Sequence, residues 1–246
     1  MREVAFTLKQ SRPLTADTWE LILSGDSSDL TRPGQFVNIE LPGKFLRRPI
    51  SVCDWGENTL TLLVRIAGAG SRALTEAAPG TVFSVLSGLG NGFDPSDRGT
   101  QPILIGGGVG TAPLYGLARR LIADGVQPTV ALGFRTAADA IYTEEFSALG
   151  CRVLVATEDG SLGFQGFVTA AVTEAAPTCD YAFVCGPTPM LRAVHGLPQL
   201  RGGQFSFEAR MGCGFGACMG CTIPTAAGYK RICKDGPILT KEEIVW

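Results

Sequence analysis

Short runs of alternating hydrophobic and polar residues, separated by Gly, Pro, Asp and Asn, fill the first 96 residues of the chain. This alternation predicts β-strands at residues 18–23, 34–39, 49–52, 59–65 and 81–86, with a short helix at 71–77. Several short strands at this spacing are typical of a small closed barrel. We therefore predict a β-barrel domain over residues 1–96.

The pattern changes after the polar segment 94–102, where strand-like and helix-like runs begin to alternate. We predict strands at 102–105, 128–134, 152–157 and 181–185, and helices at 112–123, 138–149 and 169–176. Such alternation implies a doubly wound parallel sheet covered by helices. This α/β domain is predicted to span residues 97–204, and residues 205–246 are predicted to form a small third module.

Four cysteines in the third module follow the spacing C-x4-C-x2-C with one more cysteine downstream: Cys213, Cys218, Cys221 and Cys233. Plant-type ferredoxins hold a [2Fe–2S] cluster with this spacing. Neighbouring glycines let backbone N–H groups approach the sulfurs, which offsets the negative charge of the thiolates. A zinc site is an alternative, although zinc sites usually pair two short hooks and only one is present. Disulfides are disfavoured because the N-terminus shows no secretory signal.

Two loops of the α/β domain have the composition of nucleotide-binding turns. The sequence GGGVGT, from Gly106 to Thr111, lies between an apolar strand and a helix, so its N–H groups suit a pyrophosphate. The sequence CGPTP, starting at Cys185, follows the fourth strand, and its small residues let a flat ring approach the backbone. Each could instead be a plain strand-to-helix turn. Because both lie at the carboxyl edge of one sheet, we favour ligand binding.

The barrel offers two further candidate contacts for a phosphorylated ligand. Arg47 and Arg48 stand near Ser51 at the start of a strand, a set suited to a phosphate and a ring edge. The sequence GAGS, ending at Ser71, opens the short helix with N–H groups that suit another phosphate. Taken alone, the arginine pair reads as a solvated surface and the glycine turn as a barrel corner.

Composition excludes several classes of protein. Of the 246 residues, 45% are hydrophobic and 18% charged, and the net charge is −2 with scattered basic residues, which disfavours nucleic acid as a partner. No apolar run approaches the ~20 residues that a membrane helix needs. The other cysteines are irregularly spaced, as expected of reduced thiols in a cytoplasmic protein. His195 is the only histidine, so no catalytic side chain is assigned and cofactors are expected to carry the chemistry.

Taken together, these motifs resemble the ferredoxin–NADP reductase superfamily. The cysteine motif narrows the resemblance to the electron-transfer subunits of NAD-dependent (type 1B) dihydroorotate dehydrogenases. The resemblance covers the whole chain and is most specific in LRRPIS (46–51), LGNGF (89–93), the glycine loop, EDGS (158–161), CGPTPML (185–191) and EARMGCGFGAC (208–218). The sequence LSG at 86–88 departs from the expected Leu-Gly-Pro, which concerns local flavin contacts only.

The resemblance implies which residues hold each cofactor. FAD is expected at Arg48, Pro49, Ile50, Ser51, Leu63, Val64, Arg65, Gly70 and Ser71. NAD is expected at Gly106, Gly107, Gly108, Val109, Gly110, Cys185, Gly186 and Pro187. The [2Fe–2S] cluster is expected at Cys213, Cys218, Cys221 and Cys233.

The resemblance also implies an activity. In this family dihydroorotate is oxidised on FMN in a separate catalytic subunit, and electrons pass through [2Fe–2S] and FAD to NAD+. We therefore expect an oxidoreductase subunit of pyrimidine biosynthesis, in a cytoplasmic heterotetramer with that catalytic subunit and without nucleic-acid or membrane partners. Arg135 could reach the 2′-phosphate of NADP, but no basic cluster surrounds it, so NAD is preferred.

Two rival functions are compatible with the sequence. Another reductase of the same build, such as a sulfide dehydrogenase or a bifurcating ferredoxin–NADP reductase subunit, would share the fold and the cofactors but have a different partner. A nucleotide-regulated zinc protein that uses the same four cysteines is the alternative outside the enzymes.

Overall fold

The computed structural model describes residues 1–246, and its N-terminal part is the predicted antiparallel barrel. The elements are β1 (Arg2–Pro13), β2 (Thr18–Ser24), β3 (Phe36–Ile39), β4 (Arg48–Trp55), β5 (Thr59–Arg65), α1 (Ala69–Thr75) and β6 (Val82–Leu89). The barrel closes in the strand order β1-β2-β5-β4-β3-β6. In this order every barrel strand has two neighbours.

The first strand, β1, is missing from the sequence-based prediction. A bulge between Leu8 and Gln10 shifts its register against β2, so the alternation of hydrophobic and polar residues is interrupted there. Only Phe6 and Leu8 of this strand are buried. Its place in the barrel is set by pairing with β2 and β6, and the local sequence does not reveal those partners.

The second part is the predicted doubly wound α/β domain. Its elements are β7 (Pro102–Gly107), α2 (Ala112–Ala123), β8 (Thr129–Phe134), α3 (Thr143–Ala148), β9 (Arg152–Thr157), β10 (Phe164–Gln165), α4 (Val168–Ala175), β11 (Tyr181–Cys185), α5 (Thr188–His195) and β12 (Gly202–Ser206). The strands β10-β9-β8-β7-β11-β12 run parallel. Parallel order places their carboxyl ends at one edge, where such sheets bind ligands.

The helix predicted at 138–149 is wrong in its first half. Residues Ala137–Asp139 form a 3₁₀ turn, and α3 begins only at Thr143. Tyr142 between them has a φ of 62°, a left-handed conformation that an α-helix cannot contain. The polar and apolar spacing of this segment gave no sign of the break.

One hydrophobic cluster spans the boundary between the barrel and the α/β domain. Cys53 and Leu63 of the barrel pack in the same buried cluster as Leu114 and Leu117 of α2. Gly116 of α2 lies so close to β4 that an added Cβ would stand 2.9 Å from the Cys53 carbonyl oxygen. The two domains therefore meet through close-packed groups that allow little sliding.

The C-terminal module is joined to both other parts. It consists of a hairpin of β13 (Thr222–Thr225) and β14 (Gly228–Arg231), followed by β15 (Ile238–Thr240). Strand β15 pairs antiparallel with β12 and so extends the large sheet. Phe36 and Leu89 of the barrel pack with Cys221, Ile232 and Cys233 of the module. No helix of the structure is both long and apolar enough to cross a membrane.

The Gln204 side chain of β12 forms hydrogen bonds with the segment that connects the barrel to the parallel sheet. Its side-chain nitrogen donates to the carbonyl oxygens of Asp94 at 2.9 Å and Asp97 at 3.0 Å, and its side-chain oxygen accepts the Asp94 N–H at 2.7 Å. Because Gln204 is 3% exposed, Gln204→Ala removes three well-shielded hydrogen bonds and is expected to lower the free energy of unfolding by about 2 kcal/mol in urea titrations.

The matched control is Gln101→Ala, since the Gln101 side chain is exposed and forms no hydrogen bond. We expect this change to alter the free energy of unfolding by less than about 0.5 kcal/mol. An equal loss in both variants would show that the Gln204 hydrogen bonds contribute nothing specific.

Candidate functional site

A cleft of about 640 Å³ opens at the carboxyl edge of the parallel sheet, between the sheet and the barrel. Its lining from the α/β domain includes Gly107, Gly108, Val109, Gly110, Phe134, Arg135, Asp139, Ile141, Glu158, Gly186, Pro187 and Met190. The barrel contributes Asp17, Thr18 and Arg65, and the segment after β12 contributes Glu208. The cleft is thus built from all three parts of the chain, which no single motif could predict.

The structure brings the two predicted nucleotide loops into direct contact. An added Cβ on Gly110 would stand 2.4 Å from the Cys185 carbonyl oxygen, and one on Gly107 would stand 2.6 Å from the Met190 sulfur. A 3₁₀ turn (Gly108–Thr111) precedes α2, so the loop leads into the helix with its N–H groups near the cleft. A backbone surface without side chains fits a pyrophosphate and a flat ring.

Glu208 lines the cleft, whereas Cys185 is buried and directly precedes the lining residue Gly186 in sequence. Burial, with a smaller effect of Glu208, raises the pKa of the Cys185 thiol to about 12, so the thiol stays protonated near neutral pH. Burial also raises the pKa of the Glu208 carboxyl. The sequence analysis included Glu208 only as the first residue of the EARMGCGFGAC stretch and assigned it no role.

Arg135, which lines the cleft, forms an ion pair with a neighbouring carboxylate. Its guanidinium lies 3.2 Å from an Asp139 carboxylate oxygen, and the Thr136 hydroxyl donates to the other oxygen at 3.2 Å. Glu158 lines the same end of the cleft. The Arg135 guanidinium is therefore already paired with a carboxylate, which competes with a phosphate for it.

The candidate flavin residues meet at an opening of the barrel wall. Strands β4 and β5 pair only from Val52 and Leu62 onwards, so segments 48–51 and 63–65 are not hydrogen-bonded to each other. Arg48 reaches over α1, where an added Cβ on Gly70 would stand 2.0 Å from the Arg48 Nε. An arginine beside a glycine turn is a suitable cradle for a phosphate.

Other side chains near the opening are used for structure. Arg47 pairs with Glu3 at 2.8 Å and Glu40 at 2.6 Å, so it ties barrel strands together. The Ser71 hydroxyl accepts the N–H groups of Ala67 and Gly68 and so shapes the turn before α1. Leu63 and Val64 are buried, which leaves their backbone groups for a ligand. Pro49, Ile50 and Ser51 are half-buried.

The four motif cysteines form two adjacent pairs. The Cys213 sulfur accepts N–H groups of Phe215, Ala217 and Cys218 at 3.3–3.5 Å, and the Cys213 N–H points at the Cys218 sulfur. In the other pair, the Cys233 N–H lies 3.4 Å from the Cys221 sulfur. No three His, Cys, Asp or Glu side chains converge on a position for a single metal ion.

Backbone donors give Cys213 the electrostatics of a metal-binding thiolate. Burial acts to raise its pKa, but the N–H groups of Cys218 and Phe215 outweigh burial and hold the pKa at about 6. Two thiol pairs with N–H groups aimed at sulfur fit a binuclear cluster better than one zinc ion.

The cysteine loop rests on the barrel next to the candidate flavin strand. The Asn38 side-chain amide donates a hydrogen bond to the Cys213 carbonyl oxygen at 3.2 Å. A Cβ added to Gly214 would collide with the same Asn38 amide, so only glycine fits at position 214. Within the barrel, Asn38 is the register partner of Pro49 on β4. One strand therefore separates the candidate flavin contacts from the cysteine loop.

Comparisons with known proteins agree with this geometry. The family model for the iron-sulfur cluster binding domain of dihydroorotate dehydrogenase B matches residues 208–245, and that for the oxidoreductase NAD-binding domain matches residues 104–196. The dihydroorotate dehydrogenase B (NAD(+)) electron transfer subunit of Geobacillus sp. (strain WCH70) is 39% identical over 100% of this chain and 99% of its own length. The same subunit from Bacillus caldolyticus is 40% identical over 97% of each chain.

Solved structures support the fold. A chain of the NADH-dependent reduced ferredoxin-NADP oxidoreductase has a TM-score of 0.88 and 29% identity, and the match covers 98% of this chain and 90% of that one. Phthalate dioxygenase reductase has a TM-score of 0.62 at 21% identity over 78% of this chain and 63% of its own, which supports the fold alone.

The contact between the two nucleotide loops can be tested with two glycine substitutions. In Gly110→Ala, the new Cβ meets a backbone carbonyl that cannot move away cheaply, so we expect the free energy of unfolding to fall by about 3 kcal/mol. Gly108→Ala is the control, because its φ of 53° costs about 1 kcal/mol but no atom lies within 4 Å of the new Cβ. Urea unfolding distinguishes them, and equal losses would contradict the close contact.

Proposed function

The chain belongs to the family of electron transfer subunits of dihydroorotate dehydrogenase B, and we propose that it carries electrons from a catalytic subunit to NAD+. One observation carries this proposal: the cysteine loop lies on β3, the candidate flavin residues lie on the adjacent β4, and the nucleotide cleft lies against the same barrel opening. Three sites in this order suit a relay from a surface cluster to a nicotinamide.

The division of chemistry follows from the cofactors that the family carries. FAD exchanges a hydride with nicotinamide and can pass electrons singly, whereas a [2Fe–2S] cluster carries one electron at a time. The chain then has to bind, align and shield these groups. We assign no catalytic side chain, because none of the residues at the sites is needed as an acid or base for these transfers.

FAD lies, in this proposal, in the opening between β4 and β5. The assigned residues are Arg48, Pro49, Ile50, Ser51, Leu63, Val64, Arg65, Gly70 and Ser71. Arg48 and the turn at Gly70 hold phosphate through a fixed positive charge and backbone N–H groups. Buried Leu63 and Val64 contribute backbone contacts and an apolar floor.

NAD lies in the cleft and spans it from Cys185 to Arg135. The assigned residues are Gly106, Gly107, Gly108, Val109, Gly110, Cys185, Gly186 and Pro187. The glycine loop takes the pyrophosphate, and the bare backbone at Gly186 admits the nicotinamide ring. The buried Cys185 thiol stays protonated and so adds no negative charge next to Gly186.

The cluster is held by Cys213, Cys218, Cys221 and Cys233. The pairing seen in the structure places the exposed Cys218 and half-buried Cys213 together and the buried Cys221 and Cys233 together. N–H groups around Cys213 stabilise thiolate charge during reduction.

The partner is a catalytic subunit that carries FMN and oxidises dihydroorotate, assembled with this chain as a heterotetramer of two copies of each. The name "electron transfer subunit" of the relatives supports a catalytic partner. We propose a cytoplasmic location, supported by eight cysteines that are all free of disulfides. Nucleic acid and membranes are not partners in this proposal.

We place the domain limits at residues 1–96 for the FAD barrel, 97–204 for the NAD domain and 205–246 for the cluster module. The polar linker around Asp94 supports the first limit. The second limit falls inside β12, which leads directly into the segment matched by the iron–sulfur model from residue 208.

A second candidate is a reductase subunit with a different electron partner, such as a bifurcating ferredoxin–NADP reductase. The similarity to the NADH-dependent reduced ferredoxin-NADP oxidoreductase over nearly the whole chain supports this second candidate. Copurification with an FMN-containing subunit that produces orotate would favour the first candidate.

The proposal predicts partial activity for the isolated chain. Purified without oxygen, it is expected to oxidise NADH with an artificial acceptor such as ferricyanide, because the cleft and the flavin site are complete within one chain. It is expected to make no orotate from dihydroorotate. Orotate formation by the single chain, measured by its ultraviolet absorbance, would contradict the division of labour.

Metal analysis of the same sample decides between a cluster and zinc. We expect iron together with acid-labile sulfide and no stoichiometric zinc. Cys221→Ser, which removes one buried ligand, is expected to lose the cluster absorbance while the flavin remains. Stoichiometric zinc without sulfide would contradict the relay.

The ion pair between Arg135 and Asp139 predicts a preference for NADH over NADPH. Asp139→Asn removes the carboxylate that pairs with Arg135, so the guanidinium becomes free to bind a 2′-phosphate. We expect the ratio of kcat/KM for NADPH to that for NADH to rise about tenfold, in keeping with one charge-assisted hydrogen bond. Steady-state kinetics with both cofactors measure this ratio.

The control for this change is Asp124→Asn, which breaks a similar ion pair with Arg120 at 3.0 Å on the outer surface of α2. This variant is expected to keep the original ratio. If Asp139→Asn also leaves the ratio unchanged, Asp139 has no part in cofactor choice.

A further inference from the structure

Tyr142 is held in a conformation that its own backbone disfavours. It is one of two non-glycine residues with a positive φ, at 62°, and a left-handed aromatic residue costs about 1–2 kcal/mol. Such strain persists only where the surrounding structure requires it. A glycine at this position would remove the strain. The chain has a tyrosine there instead, which indicates that the tyrosine side chain has a role of its own.

The Tyr142 hydroxyl reaches across the domain boundary. It donates a hydrogen bond of 2.8 Å to Glu20 on β2 of the barrel, in a fully buried position. Arg12 on β1 holds the same carboxylate with two hydrogen bonds of 2.8 and 3.1 Å. Tyr115 of α2 packs edge-on against the Tyr142 ring, with 5.1 Å between centroids. The phenol is thus fixed at both its ring and its hydroxyl.

The negative charge of Glu20 strengthens its hydrogen bond with the Tyr142 hydroxyl. Burial acts to raise the pKa of Glu20, but hydrogen bonds from Arg12 and Tyr142 outweigh burial and lower it, so the carboxylate stays ionised near neutral pH. A hydrogen bond to a charged, buried acceptor contributes more than one between neutral groups.

The bond lies directly behind the cleft. Ile141, the residue before Tyr142, lines the cleft from the α/β domain, and Thr18, two residues before Glu20 on β2, lines it from the barrel. The Tyr142–Glu20 bond therefore joins the two walls at their base. The other polar contacts between the domains are the Gln204 hydrogen bonds to Asp94, the Arg12–Glu145 ion pair at 3.9 Å and the Arg119–Asp54 ion pair. None of these three involves the turn at Tyr142.

We propose that Tyr142 is a positioning residue whose hydroxyl, anchored on Glu20, fixes the angle between the two walls of the cleft and so aligns the nicotinamide with the flavin. This role rests on the proposed function of the cleft. A directional bond is needed because a misplacement of about 1 Å between reacting groups can cost about a hundredfold in rate. The left-handed turn aims the phenol at the barrel while the chain continues into α3.

Tyr142→Phe tests the proposal, because it keeps the ring and its packing and removes only the hydroxyl. Anaerobic stopped-flow reduction of the bound flavin by NADH gives a limiting rate and a half-saturating concentration. We expect the limiting rate to fall between about tenfold and a hundredfold. The half-saturating NADH concentration is expected to stay within about twofold, because the nucleotide contacts of the α/β domain are unchanged.

Asp54→Asn is the matched control, since it removes another polar contact between the same two domains at an exposed position. It is expected to keep the original limiting rate, because exposed ion pairs contribute little. Hydrogen–deuterium exchange provides a readout that is independent of turnover: segments 17–21 and 140–146 should exchange faster in Tyr142→Phe and unchanged in Asp54→Asn.

The outcomes separate this inference from the proposed function. A wild-type flavin that NADH does not reduce would overturn the proposed function, and the alignment role with it. An active wild-type protein with an unchanged limiting rate in Tyr142→Phe would overturn the alignment role alone, even if exchange increases. A fall in rate with an unchanged half-saturating concentration would support it.

Discussion

The arrangement of the redox sites depends on strand β3 being buried on both faces. Val37 and Ile39 point into the barrel core, whereas Phe36 and Asn38 face the C-terminal module. All four residues are buried, so a strand that would normally have one solvated face is covered twice. This double burial fixes the cysteine loop one strand away from the candidate flavin contacts on β4.

Burial and backbone N–H groups shift the thiol pKa values of the cysteines in opposite directions. Cys185 and Cys53 lie in apolar surroundings that raise their thiol pKa values, so both remain protonated. Cys213 sits in a glycine-rich loop whose N–H groups lower its pKa. Cys233, which we also assign to the cluster, is buried, and its pKa is raised to about 12. The pKa of each thiol therefore follows its own burial and the N–H groups that point at its sulfur.

Much of this organisation could be predicted from sequence because its signals are local. The cysteine spacing, the glycine loop after β7 and the change from short strands to strand–helix alternation each lie within one short stretch, and the fold and the family are confirmed. The assigned cofactor contacts remain proposals. Glu208, Asn38 and Tyr142 escaped prediction because their importance arises from contacts between distant segments. Asn38 is one polar residue on a short strand, and only the docking of the module places it beneath Cys213. The sequence also did not predict β1 or the break before α3. The bulge in β1 and the left-handed residue before α3 both depend on contacts with distant segments.

The most direct measurement is anaerobic addition of NADH to the purified single chain, followed by visible absorption and electron paramagnetic resonance. The account predicts that the yellow flavin absorbance bleaches and that the signal of a reduced [2Fe–2S] cluster then appears, because the cysteine loop rests on β3, next to the candidate flavin strand β4. A flavin that is reduced while the cluster stays oxidised and silent would contradict the claim that this chain connects the two.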